Sequence, residues 1–543
     1  MRKITIYTNK NVNLRNKVFK KVMEYKNDNL HIFDNETNSF CYDIESNNIY
    51  ELTQDTKSFI DSLIGKNTLS LSKEKYKNKN AFINLCYSNT CNLNCTYCYR
   101  LKTKKTSLSI TEIEDIIDYV INVFNPDANG YIFSLGLTSE ALLELDTLRE
   151  IERILYKYEN YDFTEDDFID ITPEELINNI PSEFVQPYLS NENTSLDVLN
   201  KIIHSENLNT YYKIPHDVMY SGFNSLIDNA DLLSEYKLSL LNRKILEEIF
   251  KNRIKQKIPR FCNMNFMTNG TTINEESIDF LKSINVPYMI VSIDGPEEVH
   301  NYNRAYYNNN GSYSDVVQGV KKLIENNIPL QASCVISPKN IDVVSIFTHF
   351  RELGFNKVSF QLVRMGTHES FNENMLDKVL EKFSELYAFL YKEIKKDDYS
   401  LLKLLNQTLL FTPIRNIILD QRFETRCAWG DTTVIDTEGN LYPCMYVIGN
   451  KDYCYGNYKE NILHKDILKP IYNDEIEKCK NCWARYLCGG TCHYNSIYQN
   501  GTLSEVNTIE CRFRKEIISM SLKFFAKILK TEYSSRFIQE VLS

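Results

Sequence analysis

Three cysteines in one short loop constrain this chain more than any other feature of its sequence. The run Ala81–Tyr87 is rich in β-branched and aromatic residues, as a buried strand is, and the loop after it carries Cys91, Cys95 and Cys98. Thiolates this close together suit an iron–sulfur or zinc site, because soft sulfur ligands favour those metals. A structural zinc takes four protein ligands, whereas an Fe4S4 cluster held by three cysteines leaves one iron open. The loop predicts the open cluster, and a zinc loop or unrelated thiols are the alternative.

Length and charge narrow the class of protein further. At 543 residues the chain is too long for a single core, so about two to four domains are expected. The net charge of −10 argues against a nucleic-acid partner, because phosphate binding needs a basic surface. No apolar run reaches the roughly 18 residues of a membrane helix, and the first residues lack the apolar core of a signal peptide. We therefore expect a cytoplasmic protein with neither a nucleic-acid nor a membrane partner.

The 15 cysteines of the chain point to metal rather than to disulfides, because the cytosol keeps thiols reduced. Ten of them have metal-like spacings, and these fall in the two regions 91–98 and 427–511. The remaining five are taken as buried free thiols by default. For Cys454 the choice between a free thiol and a metal ligand stays open, since it lies inside the second region. The five are Cys41, Cys86, Cys262, Cys334 and Cys454.

Strand and helix patterns alternate from Ala81 onward, which is typical of a parallel α/β sheet. Each predicted strand but the last is followed by a helical segment, and such units close into a barrel or part of one, with chemistry at the carboxyl ends of the strands. In the first helix, Thr111 and Glu114 match a capping box. The predicted strands are 81–87, 131–137, 263–270, 288–294, 331–337 and 357–363.

Regions outside these strands form further predicted units. Residues 1–80 contain strand-like runs between 30 and 52 and predicted helices at Val12–Tyr25 and from Thr53, which indicates a small α+β module. About 90 extra residues between the second and third strands form a helical insert at about 160–250, either over the barrel mouth or as a peripheral decoration. The segment TTVIDTEGNLYPC predicts a hairpin that turns at Glu438-Gly439. The predicted units are 1–80, 81–365, 366–420 (a helical bridge), 421–515 and 516–543 (a terminal helix).

Several motifs together resemble one family. The segment VSIDGPEEVHNYNR (291–304), the TNG at 268–270 and the cysteine pattern of 427–511 are similar to those of radical S-adenosylmethionine (SAM) enzymes with a SPASM domain, most of all the peptide and protein maturases. The resemblance implies an α/β fold: a partial (β/α)6 TIM-like barrel with a helical insert, a small N-terminal α+β module and a C-terminal cysteine-rich SPASM domain. Relatives that modify peptides often carry an N-terminal module that grips the leader of the precursor; structural padding is the alternative for residues 1–80.

The resemblance also implies the cofactors. These are S-adenosyl-L-methionine, a SAM-binding [4Fe-4S] cluster and two auxiliary [4Fe-4S] clusters in the SPASM domain. The implied ligands are Cys91, Cys95 and Cys98 for the SAM cluster, Cys427, Cys444 and Cys492 for the first auxiliary cluster, and Cys479, Cys482, Cys488 and Cys511 for the second.

The residues that would contact SAM follow from the same resemblance. Tyr97 is expected beside the adenine, and Ser292 and Arg304 near the SAM carboxylate and the mouth of the site. The usual Gly-Gly-Glu-Pro is replaced here by Thr138-Ser139-Glu140-Ala141, so these residues must meet the SAM amino group in another way. The expected set is Tyr97, Thr138, Ser139, Glu140, Asn269, Ser292 and Arg304.

Two further departures concern the second cysteine region. The first auxiliary cluster has three implied ligands, so its fourth position is open, filled by Cys454 or taken by substrate. Sulfatase-maturating relatives place an Asp base directly after the Tyr-Pro-Cys, but Met445 follows Cys444 here, and a thioether is no proton acceptor. The sequence therefore identifies no catalytic base.

The function that the resemblance implies is the oxidative modification of a ribosomally made precursor peptide by a 5′-deoxyadenosyl radical, such as a thioether crosslink, with an external flavodoxin- or ferredoxin-type electron donor. The alternatives within the family are protein-residue oxidation, as in sulfatase maturation, and peptide-derived cofactor biosynthesis. An alternative of another class is an iron–sulfur electron carrier or peptide-binding protein with a degenerate SAM site. The intact cysteine loop argues against that class, and the altered Gly-Gly-Glu-Pro supports it.

Overall fold

The computed structural model describes residues 30–52, 80–99, 106–159 and 261–542, with gaps at 36–37, 45–46, 126–127, 129, 285, 287, 367–369, 420, 426, 461–462 and 470. The predicted helices at 12–25 and from residue 53, and the predicted insert at 160–250, lie outside the described residues.

A small antiparallel sheet opens the described chain. Its strands are β1 (Leu30–Asn35), β2 (Asn38–Asp43) and β3 (Asn48–Leu52), in the order β1-β2-β3. The His31 ring stacks on Trp483, with 3.5 Å between the ring centroids, so this sheet packs against the C-terminal cysteine region. The strand-like runs between residues 30 and 52 are thereby confirmed as strands.

A second sheet contains the six predicted parallel strands, and they lie side by side in chain order. These strands are apolar because a parallel sheet is covered on both faces, and side chains such as Ile83, Phe133 and Val291 are fully buried. Every neighbouring pair among the six is parallel. The strands are β4 (Asn80–Leu85), β5 (Gly130–Leu135), β6 (Phe261–Thr268), β7 (Met289–Ser292), β8 (Leu330–Ile336) and β9 (Lys357–Leu362).

Helices follow the strands and bridge to the C-terminal region. Their apolar faces are buried, as Ile113, Ile116 and Ile117 show in the first of them. In chain order they are α1 (Ile110–Tyr119), α2 (Leu145–Glu159), α3 (Glu275–Ser283), α4 (Glu297–Asn303), α5 (Tyr313–Glu325), α6 (Val343–Glu352), α7 (Glu373–Lys395), α8 (Ser400–Leu405), α9 (Thr412–Leu419), α10 (Glu477–Lys480), α11 (Arg485–Cys488), α12 (His493–Asn500), α13 (Thr508–Ile528) and α14 (Ser534–Leu542).

The capping box of α1 differs from the predicted one. Ser109 is the N-cap: its hydroxyl accepts from the backbone of Glu112, and the Glu112 side chain reaches back to the backbone N–H of Ser109. The assignment to Thr111 and Glu114 was wrong. Two overlapping matches to the same pattern exist in this segment, and the extended backbone of Ser109 (φ −74°, ψ 160°) selects the first.

Three strands of the C-terminal cysteine region extend the large sheet. β10 (Thr432–Ile435) runs parallel to β4, with Thr432 opposite Phe82, and β11 (Asn440–Tyr442) and β12 (Gly456–Asn457) follow antiparallel. The predicted hairpin is confirmed, and Gly439 in its turn has φ +82°, where an added Cβ would lie 2.5 Å from the Tyr458 ring. The result is a mixed α/β fold with a mainly parallel sheet. Barrel closure, the insert and the domain boundaries stay predictions.

Within the described part of the chain, no helix combines the length and the apolar character that a membrane crossing needs.

Candidate active site

A cavity of about 400 Å³ lies at the carboxyl ends of the parallel strands. The loops after β4, β5 and β6 and the ends of β7, β8 and β9 supply its walls, which is where the side-by-side strands place the residues that follow them. Met445 and Tyr446, which follow Cys444, close it from the C-terminal region. The structure brings the expected SAM-cluster and SAM-contact residues together here: Cys91, Cys95, Cys98, Tyr97, Thr138, Ser139, Glu140, Asn269, Ser292 and Arg304.

Backbone and amide hydrogen bonds hold the cysteine loop in place. Asn94 and Thr96 donate their backbone N–H groups to the carbonyls of Ala305 (2.8 Å) and Asn303 (2.9 Å). On the other side, the Asn269 amide donates to the Asn92 side chain over 2.8 Å. Since both neighbours of the loop belong to the motifs that follow β6 and β7, the fold itself positions the three thiols.

The thiol of Cys95 is shielded from solvent. Burial raises its pKa to about 12, although the nearby Arg304 guanidinium acts in the opposite direction. A metal ligand must be the thiolate, so a bound cation would have to offset the effect of burial.

Glu140 is the anchor of the loop that replaces Gly-Gly-Glu-Pro. It is buried, and its carboxylate accepts hydrogen bonds from the hydroxyl of Thr268 (2.6 Å), the backbone N–H of Asn269 (2.5 Å) and, more weakly, Leu142 and Thr272. The loop after β5 is therefore tied to the TNG motif after β6. Burial raises the pKa of Glu140, and these hydrogen bonds offset part of that effect.

A glycine outside the motif accommodates the change from Gly-Gly to Thr138-Ser139. Gly136, two residues earlier, has φ +84°, and an added Cβ would lie 2.2 Å from the Met267 carbonyl oxygen. The Thr138 hydroxyl turns away to donate to the Ser88 carbonyl over 3.2 Å. The backbone freedom that this loop needs is thus supplied outside the motif.

A pH-dependent contribution to stability is expected from Glu140. Its pKa in the folded protein is raised above the ordinary 4.5, so between those two values the folded state holds a proton that the unfolded state has lost. The free energy of unfolding should therefore contain a contribution that is present below pH 4.5 and declines as the pH rises through the folded-state pKa. Chemical denaturation across that range should show this decline in the wild type, and Glu140→Gln should lack it. An identical pH profile in both proteins would contradict the assignment.

Asp294 is a buried residue beside the cavity that the sequence did not single out. It is fully buried and accepts hydrogen bonds from the Tyr97 hydroxyl and from Arg304 Nε over 3.0 Å, while the Arg304 guanidinium lies 5.4 Å from the centroid of the Tyr97 ring. Burial disfavours the charge of Arg304, but Asp294 outweighs it and the pKa of the guanidinium is raised. Two expected SAM-contact residues thus share one buried carboxylate. The signal in the sequence was an acidic residue in a loop directly after a strand.

The other cysteines form two separate sets. Burial raises the pKa of Cys444 to about 12, and the neighbouring thiols Cys492 and Cys427 act in the same direction. The second set is Cys479, whose pKa burial likewise raises to about 12, with the thiols of Cys488, Cys482 and Cys511 as its neighbours. These are the groupings that the sequence predicts, and the role of each thiol as a ligand stays a prediction.

Cys454 packs against the same apolar cluster as Cys427 and Cys444, but its polar contacts differ from theirs. Its thiol donates to the Gly456 carbonyl over 3.3 Å, and Tyr442 and Tyr455 are further polar neighbours. The titratable neighbours of Cys427 and Cys444 include Cys492, Glu510 and Arg364.

A buried charge network lies between the two cysteine sets. Glu510 accepts from the Cys492 backbone N–H (3.0 Å) and from Arg514 Nε (2.9 Å). Burial alone would raise the pKa of Glu510, but Arg514 and Arg364 outweigh it and lower that pKa. Burial raises the pKa of Cys492, and Arg364 offsets part of that effect. The network supplies positive charge close to both sets of thiols.

Comparisons with known proteins identify relatives of this chain. No protein-family model matches the chain. An uncharacterised protein, sll1766 of Synechocystis, is 27% identical over 46% of this chain and 66% of its own length. The cysteine-type anaerobic sulfatase-maturating enzyme of Clostridium novyi is 23% identical over 52% of this chain and 78% of its own length. The radical SAM cyclopropyl synthase TigE of Paramaledivibacter caminithermalis is 26% identical over 47% of this chain and 52% of its own length.

Among solved structures, native anSMEcpe with bound AdoMet and the Cp18Cys peptide superposes with a TM-score of 0.53 at 17% identity, covering 83% of this chain and 99% of that one. This likeness concerns the fold. The chain is thus similar to radical SAM enzymes both in sequence and in fold. Its sequence relatives include sulfatase-maturating enzymes and the sporulation killing factor maturation protein SkfB of Bacillus subtilis.

Proposed function

We propose that this chain is a radical SAM/SPASM maturase that installs an oxidative crosslink, such as a thioether, in a ribosomally made peptide. One observation carries the proposal. The same cavity is lined by the three-cysteine loop on one side and by the residues that follow Cys444 on the other. A peptide residue held there would therefore contact the proposed SAM site and the proposed first auxiliary cluster together.

The residues present fit the cofactors that the class uses. Cys91, Cys95 and Cys98 face one cavity large enough for a ligand beside them, as an open [4Fe-4S] cluster requires. Among the described residues, no three His, Cys, Asp or Glu side chains converge on a single metal ion. A [4Fe-4S] cluster does not require that, because each of its thiolates binds a different iron. Bound there, the cluster and SAM would supply a 5′-deoxyadenosyl radical, with the electron coming from an external flavodoxin or ferredoxin.

The remaining chemistry falls to the chain itself. Asp294 accepts hydrogen bonds from both Arg304 and Tyr97 and so fixes the orientation of these two side chains. The Arg304 guanidinium therefore lines the cavity with its charge already paired. Glu140 fixes the loop after β5 against the loop after β6. Apolar walls such as Met267, Val335 and Val363 keep water away from a reactive carbon centre.

Oxidation of a protein cysteine or serine is the second candidate, because the relatives include sulfatase-maturating enzymes. That reaction needs a proton acceptor beside the substrate. Of the described residues that line the cavity, Glu140 is the one carboxylate, and it already accepts hydrogen bonds from its neighbours. Met445 lines the cavity at the position where the relatives resembled here place their Asp. The crosslink is therefore the better-supported reaction.

Anaerobic turnover with defined peptides tests the proposal. The reconstituted enzyme is mixed with SAM, a reductant and a set of synthetic cysteine-containing peptides, and the products are analysed by mass spectrometry. Loss of two hydrogens with a blocked thiol, together with deoxyadenosine, supports the crosslink. Conversion of the Cp18Cys peptide to a formylglycine would favour the second candidate. Zinc binding, or no deoxyadenosine, would contradict both.

The fourth position of the first auxiliary cluster gives a further prediction. Because the Cys454 thiol is turned to the Gly456 carbonyl and Tyr442, we expect Cys454→Ala to keep its full iron content, roughly twelve irons per chain at four per cluster. Iron and acid-labile sulfide are measured after anaerobic reconstitution, with Cys444→Ala as the matched variant that should lose about four irons. A loss of that size in Cys454→Ala would make Cys454 the fourth ligand and exclude a substrate thiolate there.

A further inference from the structure

Four tyrosine rings form a continuous row from the cavity to the surface. The ring centroids of Tyr99 and Tyr446 are 4.3 Å apart, those of Tyr446 and Tyr494 are 5.2 Å apart, and those of Tyr494 and Tyr498 are 6.2 Å apart. Tyr99 and Tyr446 line the cavity, whereas Tyr498 is 56% exposed. The row, here called the tyrosine row, therefore connects the reaction space with solvent.

Neighbouring residues hold the tyrosine row in this arrangement. Tyr494 and Tyr498 are four residues apart on α12, so they lie on one face of that helix. Gly366 faces them with φ +85°, and an added Cβ would lie 2.7 Å from the Tyr498 ring and 3.4 Å from the Tyr494 hydroxyl. The Arg364 guanidinium lies 5.2 Å from the centroid of the Tyr446 ring. A larger residue at position 366 would separate the two outer rings.

We propose that the tyrosine row carries an oxidising equivalent out of the cavity when the primary carbon radical formed there meets no substrate; this rests on the radical chemistry proposed above. A primary carbon radical is a stronger hydrogen acceptor than a phenoxyl radical. In the first step the O–H bond of Tyr99 breaks and a C–H bond forms on the carbon, which leaves a Tyr99 phenoxyl. An unquenched carbon radical would otherwise take hydrogen from the side chains of the cavity wall.

The later steps move the same equivalent outward. Each tyrosine in turn gives one electron and one proton to the phenoxyl on its inner side and becomes the phenoxyl itself, so the inner phenol is restored. At Tyr498 a soluble thiol supplies the last hydrogen atom: its S–H bond breaks, the Tyr498 O–H bond forms, and a thiyl radical leaves. The short distances between the tilted rings provide the electronic contact between neighbours, and the exposure of Tyr498 gives the thiol access.

Radical trapping in the absence of peptide tests the proposal. The reconstituted full-length enzyme is given SAM and limiting dithionite without oxygen or thiol, in the presence of the nitrone spin trap DMPO. Adducts are then mapped by tandem mass spectrometry, and deoxyadenosine is measured in the same samples. Tyr498 should carry the adduct, whereas Tyr307, which is also 56% exposed but is not part of the row, should not.

Two phenylalanine variants make the test specific. Tyr494→Phe keeps the ring but has no O–H to lose, so the adduct on Tyr498 should fall to the level seen at Tyr307. Tyr458→Phe, a buried tyrosine away from the row, should leave the Tyr498 adduct unchanged. Two results, each with deoxyadenosine formed, would overturn the row as a path. One is an adduct yield at Tyr498 no higher than at Tyr307, and the other is an adduct on Tyr498 that persists in Tyr494→Phe. Absence of deoxyadenosine would instead overturn the proposed function. The tyrosine row would then have no carbon radical to oxidise it.

Discussion

Cys95→Ala should abolish the formation of deoxyadenosine from SAM. The variant removes one of three thiols at the only proposed cluster that has a position for a cofactor, and we expect about four of roughly twelve irons to be lost with it. The backbone of the loop is held by Asn94 and Thr96 rather than by the thiols, so the fold should remain. Anaerobic reconstitution followed by iron analysis and chromatography of SAM products measures both effects.

Cys86→Ala is the matched control for that experiment. Cys86 is also a buried cysteine close to the same loop, but it packs in an apolar cluster around Trp429 and Val434. Its replacement should alter packing only and keep both the iron and the deoxyadenosine. Deoxyadenosine from Cys95→Ala at the level of Cys86→Ala would exclude the proposed role of the loop.

The second large effect is expected on stability. Asp294→Ala leaves Arg304, whose side chain is 9% exposed, as a buried cation without its carboxylate, and it also removes the acceptor of the Tyr97 hydroxyl. Breaking a buried pair in this way costs about 3–5 kcal/mol. Denaturant unfolding under anaerobic conditions, with the slope of the transition unchanged, measures the loss.

The comparison variant is Glu385→Ala. Glu385 pairs with Lys382 three residues earlier on the exposed face of α7, where water screens both charges. Its removal should leave the free energy of unfolding nearly unchanged. If the two variants have similar free energies of unfolding, the Asp294–Arg304 pair does not stabilise the fold as its burial indicates.

Local patterns explain why much of the fold was predictable. The six strands are short apolar runs bounded by polar loops, and the hairpin at Glu438-Gly439 carries the glycine that its turn requires. The capping box of α1 shows the limit of such patterns. Ser109 and Thr111 both satisfy the same four-residue rule, and only the backbone conformation of the folded chain decides between them.

Long-range partners explain what the sequence could not show. Asp294 stands in a motif that was recognised, yet its importance comes from Tyr97 and Arg304, and the Tyr97 contact joins residues far apart in the chain. The pairing of β10 with β4 likewise leaves no local signal, because parallel partners are not adjacent in sequence. The tyrosine row depends in the same way on segments that only folding brings together.

The pairing of β10 with β4 also sets an order of events during synthesis. The ribosome releases β4 and the cysteine loop first, but the strand that completes this side of β4 emerges only after the rest of the parallel strands. Until then β4 presents an open edge, which invites pairing with other chains. We therefore expect nascent chains that end before Thr432 to depend on chaperones for their solubility.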